Sequence, residues 1–100
     1  MTPPRMKSTR DNVFLDLGFS ALEAANMRVR ADLMIELVRI VRTRRLTQGA
    51  AAKLFGVSQP RVSDLTTGKI DRFSIDALVE MLARAGRRVE FATRPARRVA

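Results

Sequence analysis

Apolar residues along the chain follow a helical period over most of its length and an alternating one only near the two ends. Over residues 12–17, NVFLDL, Val13, Leu15 and Leu17 alternate with Asn12, Phe14 and Asp16, which predicts a short strand ended by Gly18. Ser20 and Glu23 then have capping-box spacing, in which the hydroxyl accepts from the backbone at Glu23 and the carboxylate reaches back. From Ala21 to Arg44 the period is helical. Leu22, Val29, Leu33, Leu37, Ile40 and Val41 share one broad face, with Met34 and Val38 widening it. Arg28, Asp32, Glu36 and Arg39 fall opposite, where Arg28–Asp32 and Glu36–Arg39 have ion-pair spacing. A break near residues 26–30 is compatible with the pattern. The length of the apolar stripe serves a core helix first and a partner subunit second.

The next stretch, Leu46–Lys69, LTQGAAAKLFGVSQPRVSDLTTGK, organises the chain. Thr47 caps a helix over 48–55. Ala51 and Ala52 supply the small side chains that two steeply crossing helices need. Gly56 permits positive φ in a sharp turn, and Val57 plugs that turn into the core. Ser58 caps a second helix over 59–67, where Pro60 is tolerated in the first turn. Val62 and Leu65 face inward, leaving Gln59, Arg61 and Asp64 outside; Gly68 closes the helix and Lys69 follows. A last helix over 75–85, capped by Ser74 or Asp71, buries Ile75, Leu78, Val79 and Leu82 and stops at Gly86. Residues 88–94, RVEFATR, alternate again. They predict a second strand, paired with 12–17 in its own subunit or a partner's, because an isolated ribbon is weak.

Composition narrows the chemistry. The 100 residues hold one domain, expected over 12–94 between a flexible basic arm at 1–11 and a frayed tail at 95–100. Cysteine, histidine and tyrosine are absent, which removes disulfides, thiol nucleophiles, imidazole bases and the usual zinc ligand sets. No cofactor is expected. The carboxylates that could be paired, Asp71 with Asp76 and Asp32 with Glu36, sit among arginines, so solvated charge explains them better than acid–base catalysis. The net charge is +9, and sixteen of nineteen cations are arginine, suited to phosphates and guanine edges. No apolar run is long enough to span a bilayer and the N-terminus has no secretory core, so a cytoplasmic protein is expected. The five phenylalanines are explained by packing rather than by stacking on RNA bases.

Two short helices joined by a tight turn, with polar and basic residues on the outer face of the second, fit a probe for the DNA major groove. Gln59 pairs with adenine and Arg61 with guanine by the geometry of their donors. Ser63 reaches a base or phosphate, and Asp64 accepts from cytosine or orients Arg61. Gln48, Ser58 and Lys69 are the expected phosphate contacts, with Lys53 and Arg72 weaker choices. One such unit presents little surface, so a homodimer on an inverted-repeat operator is expected, its recognition helices about 34 Å apart.

The motif resembles the Cro/phage-repressor type of helix-turn-helix, the XRE family. The resemblance is carried by Thr47–Gln48, Ala51–Ala52, Gly56–Val57, Ser58–Gln59, Val62, Leu65 and Gly68–Lys69. It implies an all-α, lambda-repressor-like domain of four to five helices, to which the alternating ends could add short terminal strands. It also implies phosphate contact by Gln48 and base contact by Gln59, Arg61 and Asp64. Pro60 departs from the polar residue that some repressors use for readout. NVFLDLGFS, the arginine-rich helix, FSIDALVEML and RRVEF extend the likeness to HigA-type antitoxins, which repress their own operon and bind a RelE/HigB-type RNA-cleaving toxin. Many antitoxins carry an acidic toxin-binding segment; this chain does not. The alternatives are a stand-alone phage-type repressor and a non-enzymatic protein-interaction module.

Overall fold

A computed structural model describes residues 9–95, with side chains from residue 13 onward. The expected arm and tail therefore fall, over 1–8 and 96–100, outside the described residues. Five helices and a short turn of 3₁₀ helix follow in order: α1 (Thr9–Asp16), α2 (Ala21–Thr43), α3 (Gln48–Phe55), α4 (Gln59–Thr66), the turn Ile70–Arg72, and α5 (Ile75–Arg84). Among the described residues there is no strand.

Both expected strands are thus overturned. Residues 12–17 lie in and just after α1, where Leu17 N–H donates to the Val13 carbonyl at 3.1 Å. A lone strand would leave its backbone groups unpaired, whereas a helical turn satisfies them locally. The alternation misleads because Val13, Leu15 and Leu17 are all exposed; Phe14 is the inward residue, edge-on to Phe19 with centroids 6.2 Å apart. Residues 88–94 are irregular for the complementary reason: with 12–17 helical, no strand remains for them to join.

The long helix α2 runs unbroken through residues 26–30, so the break that the pattern allowed is absent. Its start is the predicted capping box, with Ser20 N–H on the Glu23 carboxylate at 3.0 Å and Glu23 N–H on the Ser20 hydroxyl at 3.2 Å. Hydrogen bonding from the Ser20 backbone N–H, and then from its hydroxyl, favours the ionised carboxylate and holds the Glu23 pKa below its ordinary value. Both predicted ion pairs form, Arg28–Asp32 at 3.7 Å and Arg39–Glu36 at 2.9 Å. The buried face is Ala24, Met34, Leu37 and Ile40, while Leu22, expected inward, is 86% exposed.

α2 packs on α4 and α5, and α3 packs on both of those helices. Between them Leu37, Ala51, Phe55, Val62, Leu65, Phe73, Leu78 and Met81 form the centre of one core. Helix ends keep the elements short and correctly aimed. α2, α4 and α5 each close by the same paired backbone bonds: Leu46 N–H to Val41 and Arg45 N–H to Arg42, Lys69 to Asp64 and Gly68 to Leu65, Arg87 to Leu82 and Gly86 to Ala83. Glycine takes the left-handed position after α4 and α5, but Arg45 takes it after α2, at φ +50°.

Candidate nucleic-acid interface

α3 and α4 are joined at Gly56–Ser58. Gly56 has φ +71°, and a Cβ there would stand 2.8 Å from the Arg84 side chain, so the turn uses both the freedom and the small size of glycine. Val57 N–H closes on the Ala52 carbonyl at 3.0 Å. Thr47 caps α3 as expected, its hydroxyl accepting from Ala50 N–H at 3.1 Å. The N–H groups of Gln48 and Gly49, one and two residues into α3, precede the first intrahelical donor and mark a helix end suited to an anion. The Gln59 amide lies against this end, with its Nε2 3.4 Å from where a Cβ on Gly49 would sit. Gly49 and Gln59, ten positions apart, are therefore brought together.

Ser58 differs from expectation. It has the extended backbone of an N-cap residue, yet its hydroxyl makes no capping bond. Pro60 occupies the second helical position and has no N–H to offer, and the Arg61 N–H goes to the Ser58 carbonyl at 3.1 Å. The predicted cap is thus replaced by a backbone turn, which leaves the hydroxyl outside the helix. Along α4, Val62 and Leu65 are buried as predicted. Of the other residues, Gln59, Pro60, Thr66 and Thr67 are exposed, while Arg61, Ser63 and Asp64 are half-buried.

Like Asp64, which was also expected outside, Arg61 is half-buried. Its guanidinium lies 4.1 Å from the Phe73 ring centroid and donates to the Arg72 carbonyl at 2.7 Å. It has five N–H donors and that bond engages one of them. Asp64 does not orient Arg61. Its Oδ1 instead meets Arg72 at 3.0 Å and Lys69 at 3.7 Å, so two cations gather around the one acid on α4. Arg30 reaches the same region from α2, with Nη1 3.4 Å from the Ile70 carbonyl and 3.5 Å from that of Phe73.

Of the expected site residues, Gln48, Ser58, Gln59 and Lys69 are thus exposed, and Arg61, Ser63 and Asp64 are half-buried. Sequence reasoning underrated Arg72, which joins the Asp64–Lys69 cluster, and Thr67, whose outward position follows from the period of Val62 and Leu65. Its hydroxyl donates to the Ser63 carbonyl at 2.7 Å. No signal in the sequence pairs Asp64 with Arg72, because the 3₁₀ turn between them sets that distance. Among the described residues, no cluster of acids could hold a metal ion and no helix is long and apolar enough to cross a membrane.

The fold and this geometry define a helix-turn-helix class of domain, and comparison with known proteins agrees. A family described as helix-turn-helix domain matches residues 13–94, and the chain belongs to it. Its type within that class is the XRE, or Cro-like, one. A solved structure assigned by its description to the XRE family of transcriptional regulators superposes with a TM-score of 0.70 and 31% sequence identity, over 78% of this chain and 91% of the other. No match is found among curated proteins.

Proposed function

We propose that this protein is a transcriptional regulator that binds double-stranded DNA at a specific operator, with α4 in the major groove. One observation carries the reading: α4 spends Val62 and Leu65 on the core and, Pro60 apart, leaves only polar side chains for contacts outside it, beside the N-terminus of α3. The family membership and the regulator it resembles support the same activity.

The proposed base contacts are Gln59, Ser63, Asp64 and Arg61. Gln59 sits at the start of α4, where side chains of a docked helix meet base edges. Asp64 keeps Oδ2 for a cytosine amino group while Oδ1 holds the two cations. Arg61 has four remaining N–H donors for guanine. Gln48, Ser58 and Lys69 hold phosphates: Gln48 beside the α3 backbone N–H groups, Ser58 through its uncapped hydroxyl, Lys69 as a point charge after α4. Two copies on an inverted repeat would double this surface.

Within that activity we favour an autorepressor that is also the antitoxin of a toxin–antitoxin pair. The support is the likeness of its flanking segments to HigA-type proteins, together with exposed Val13, Leu15, Leu17, Leu22 and Ile35 along α1 and α2, an apolar surface suited to a protein partner. Selection of genomic fragments by the purified protein, with competitor DNA, tests both levels. Enrichment of an inverted repeat upstream of its own gene, beside a reading frame for a small RNA-cleaving toxin, is the expected result. Enrichment without such a neighbour would leave a stand-alone regulator. No enriched sequence at any salt concentration would overturn DNA-specific regulation.

A further inference from the structure

The segment after α5 has the pattern of a strand and none of its bonds. Arg87 N–H makes the last backbone bond, to Leu82 at 2.9 Å; from residue 88 to 95 no backbone group is bonded to another described residue. Val89 packs on the core and fixes where the segment leaves the domain. Phe91, a large apolar side chain, is 65% exposed. Arg88, Glu90, Ala92 and Arg94 alternate with Val89, Phe91 and Thr93. Unpaired backbone, alternation and an exposed aromatic are together what a strand edge offers to another chain.

We propose that residues 88–94 pair antiparallel with the same segment of a second copy, across a two-fold axis at Ala92. This deepens the homodimer of the preceding reading by assigning its interface. The register follows from charge. In a two-fold ribbon each residue faces one at equal distance beyond the axis. An axis at Glu90 sets two carboxylates face to face, and one at Phe91 sets Arg88 against the partner's Arg94. Each repels. An axis at Val89 centres the ribbon on a residue already held in the core and leaves Thr93 and Arg94 outside it. An axis at Ala92 sets each Glu90 opposite the partner's Arg94, places Phe91 beside the partner's Thr93, and puts two methyl groups at the centre. Pro95 then falls at the end of the ribbon, where a missing N–H is tolerated. The Arg88–Glu90 pair within one chain, 3.5 Å long and almost fully exposed, is too weakly held to compete. Val89 supplies the backing to the domain that a bare two-stranded ribbon lacks.

Because the protein has no cysteine, single substitutions report this contact directly. Under mild oxidation Ala92→Cys is expected to form a covalent dimer rapidly, since facing Cβ atoms in such a ribbon lie within disulfide reach. Glu90→Cys alone and Arg94→Cys alone should not, while a mixture of the two should cross-link to each other. In sedimentation, Arg94→Glu should raise the dimer dissociation constant on the order of tenfold by replacing two attractive pairs with repulsive ones. The double variant E90R/R94E should restore it. Cross-linking of Ala92→Cys no faster than that of Ala83→Cys, on the exposed side of α5, would overturn the proposal, as would a double variant no better than Arg94→Glu. The DNA reading fails separately: a protein cross-linked at Ala92 that selects no DNA retains this interface and loses that function. One that selects an inverted repeat without cross-linking at Ala92 does the reverse.

Discussion

Arg61 lies over Phe73 and donates to the Arg72 carbonyl, so the side chain proposed to read guanine also ties α4 to the turn before α5. Removing it has two consequences that separate experimentally. Arg61→Ala should lower folding stability by about 1–2 kcal/mol, from the lost cation–π contact and the hydrogen bond of a charged donor, read by urea unfolding. It should also weaken operator binding by roughly 1–3 kcal/mol and relax preference at one base pair, measured with fully folded protein. Equal losses on operator and scrambled DNA would leave Arg61 with its structural part alone. Arg45 gives a cleaner stability test. Its left-handed φ of +50° closes α2 where glycine closes α4 and α5, and Arg45→Gly should stabilise the protein by about 0.5–1 kcal/mol. Gly56→Ala should do the opposite and cost about 1–2 kcal/mol, because its φ of +71° is strained for any side chain.

At the level of elements, what was legible in the sequence is what local chemistry dictates. Ser20–Glu23, Thr47 and Ser74 mark the starts of α2, α3 and α5, and each makes its capping bond. Gly56, Gly68 and Gly86 mark turns, and each has positive φ. The two misread segments depend on tertiary partners. NVFLDL alternates as well as many strands do, yet the apolar residues of its alternation end up in solvent and Phe14 alone turns inward. RVEFATR alternates too, but pairing requires a second strand that the described residues do not contain. Ser58 failed as a cap because the Arg61 N–H, the counterpart of the donor in the other three caps, goes to the Ser58 carbonyl instead. Arg61's inward bend depends on Phe73, which no spacing rule connects to it. The α2 cap makes its own pH prediction. Glu23 has a depressed pKa in the folded protein, so its contribution is present above the unfolded carboxylate pKa near 4.3 and is lost as pH falls through the lower, folded value. Glu23→Gln should accordingly flatten the acid side of a thermal-stability profile and leave its neutral-to-basic shape unchanged.

For the whole molecule, a charge of +9 supplies attraction to any DNA, and specificity must come from α4. Lys69→Ala should therefore weaken operator and scrambled duplexes alike and reduce the dependence of log K on log salt by about one unit, checked by fluorescence titration at several ionic strengths. Lys69 already shares Asp64 with Arg72, so a smaller change in slope would show that Arg72 moves into its place. The central claim is that α4 enters the major groove once per subunit. Methylation interference at guanine N7, on a fragment the protein selects, tests it most directly because that atom lines the major groove. Two clusters of interfering guanines are expected about one helical turn apart, one on each half-site, with the cluster altered in Arg61→Ala. Undiminished binding to fully N7-methylated DNA, or interference confined to adenine N3 in the minor groove, would contradict it.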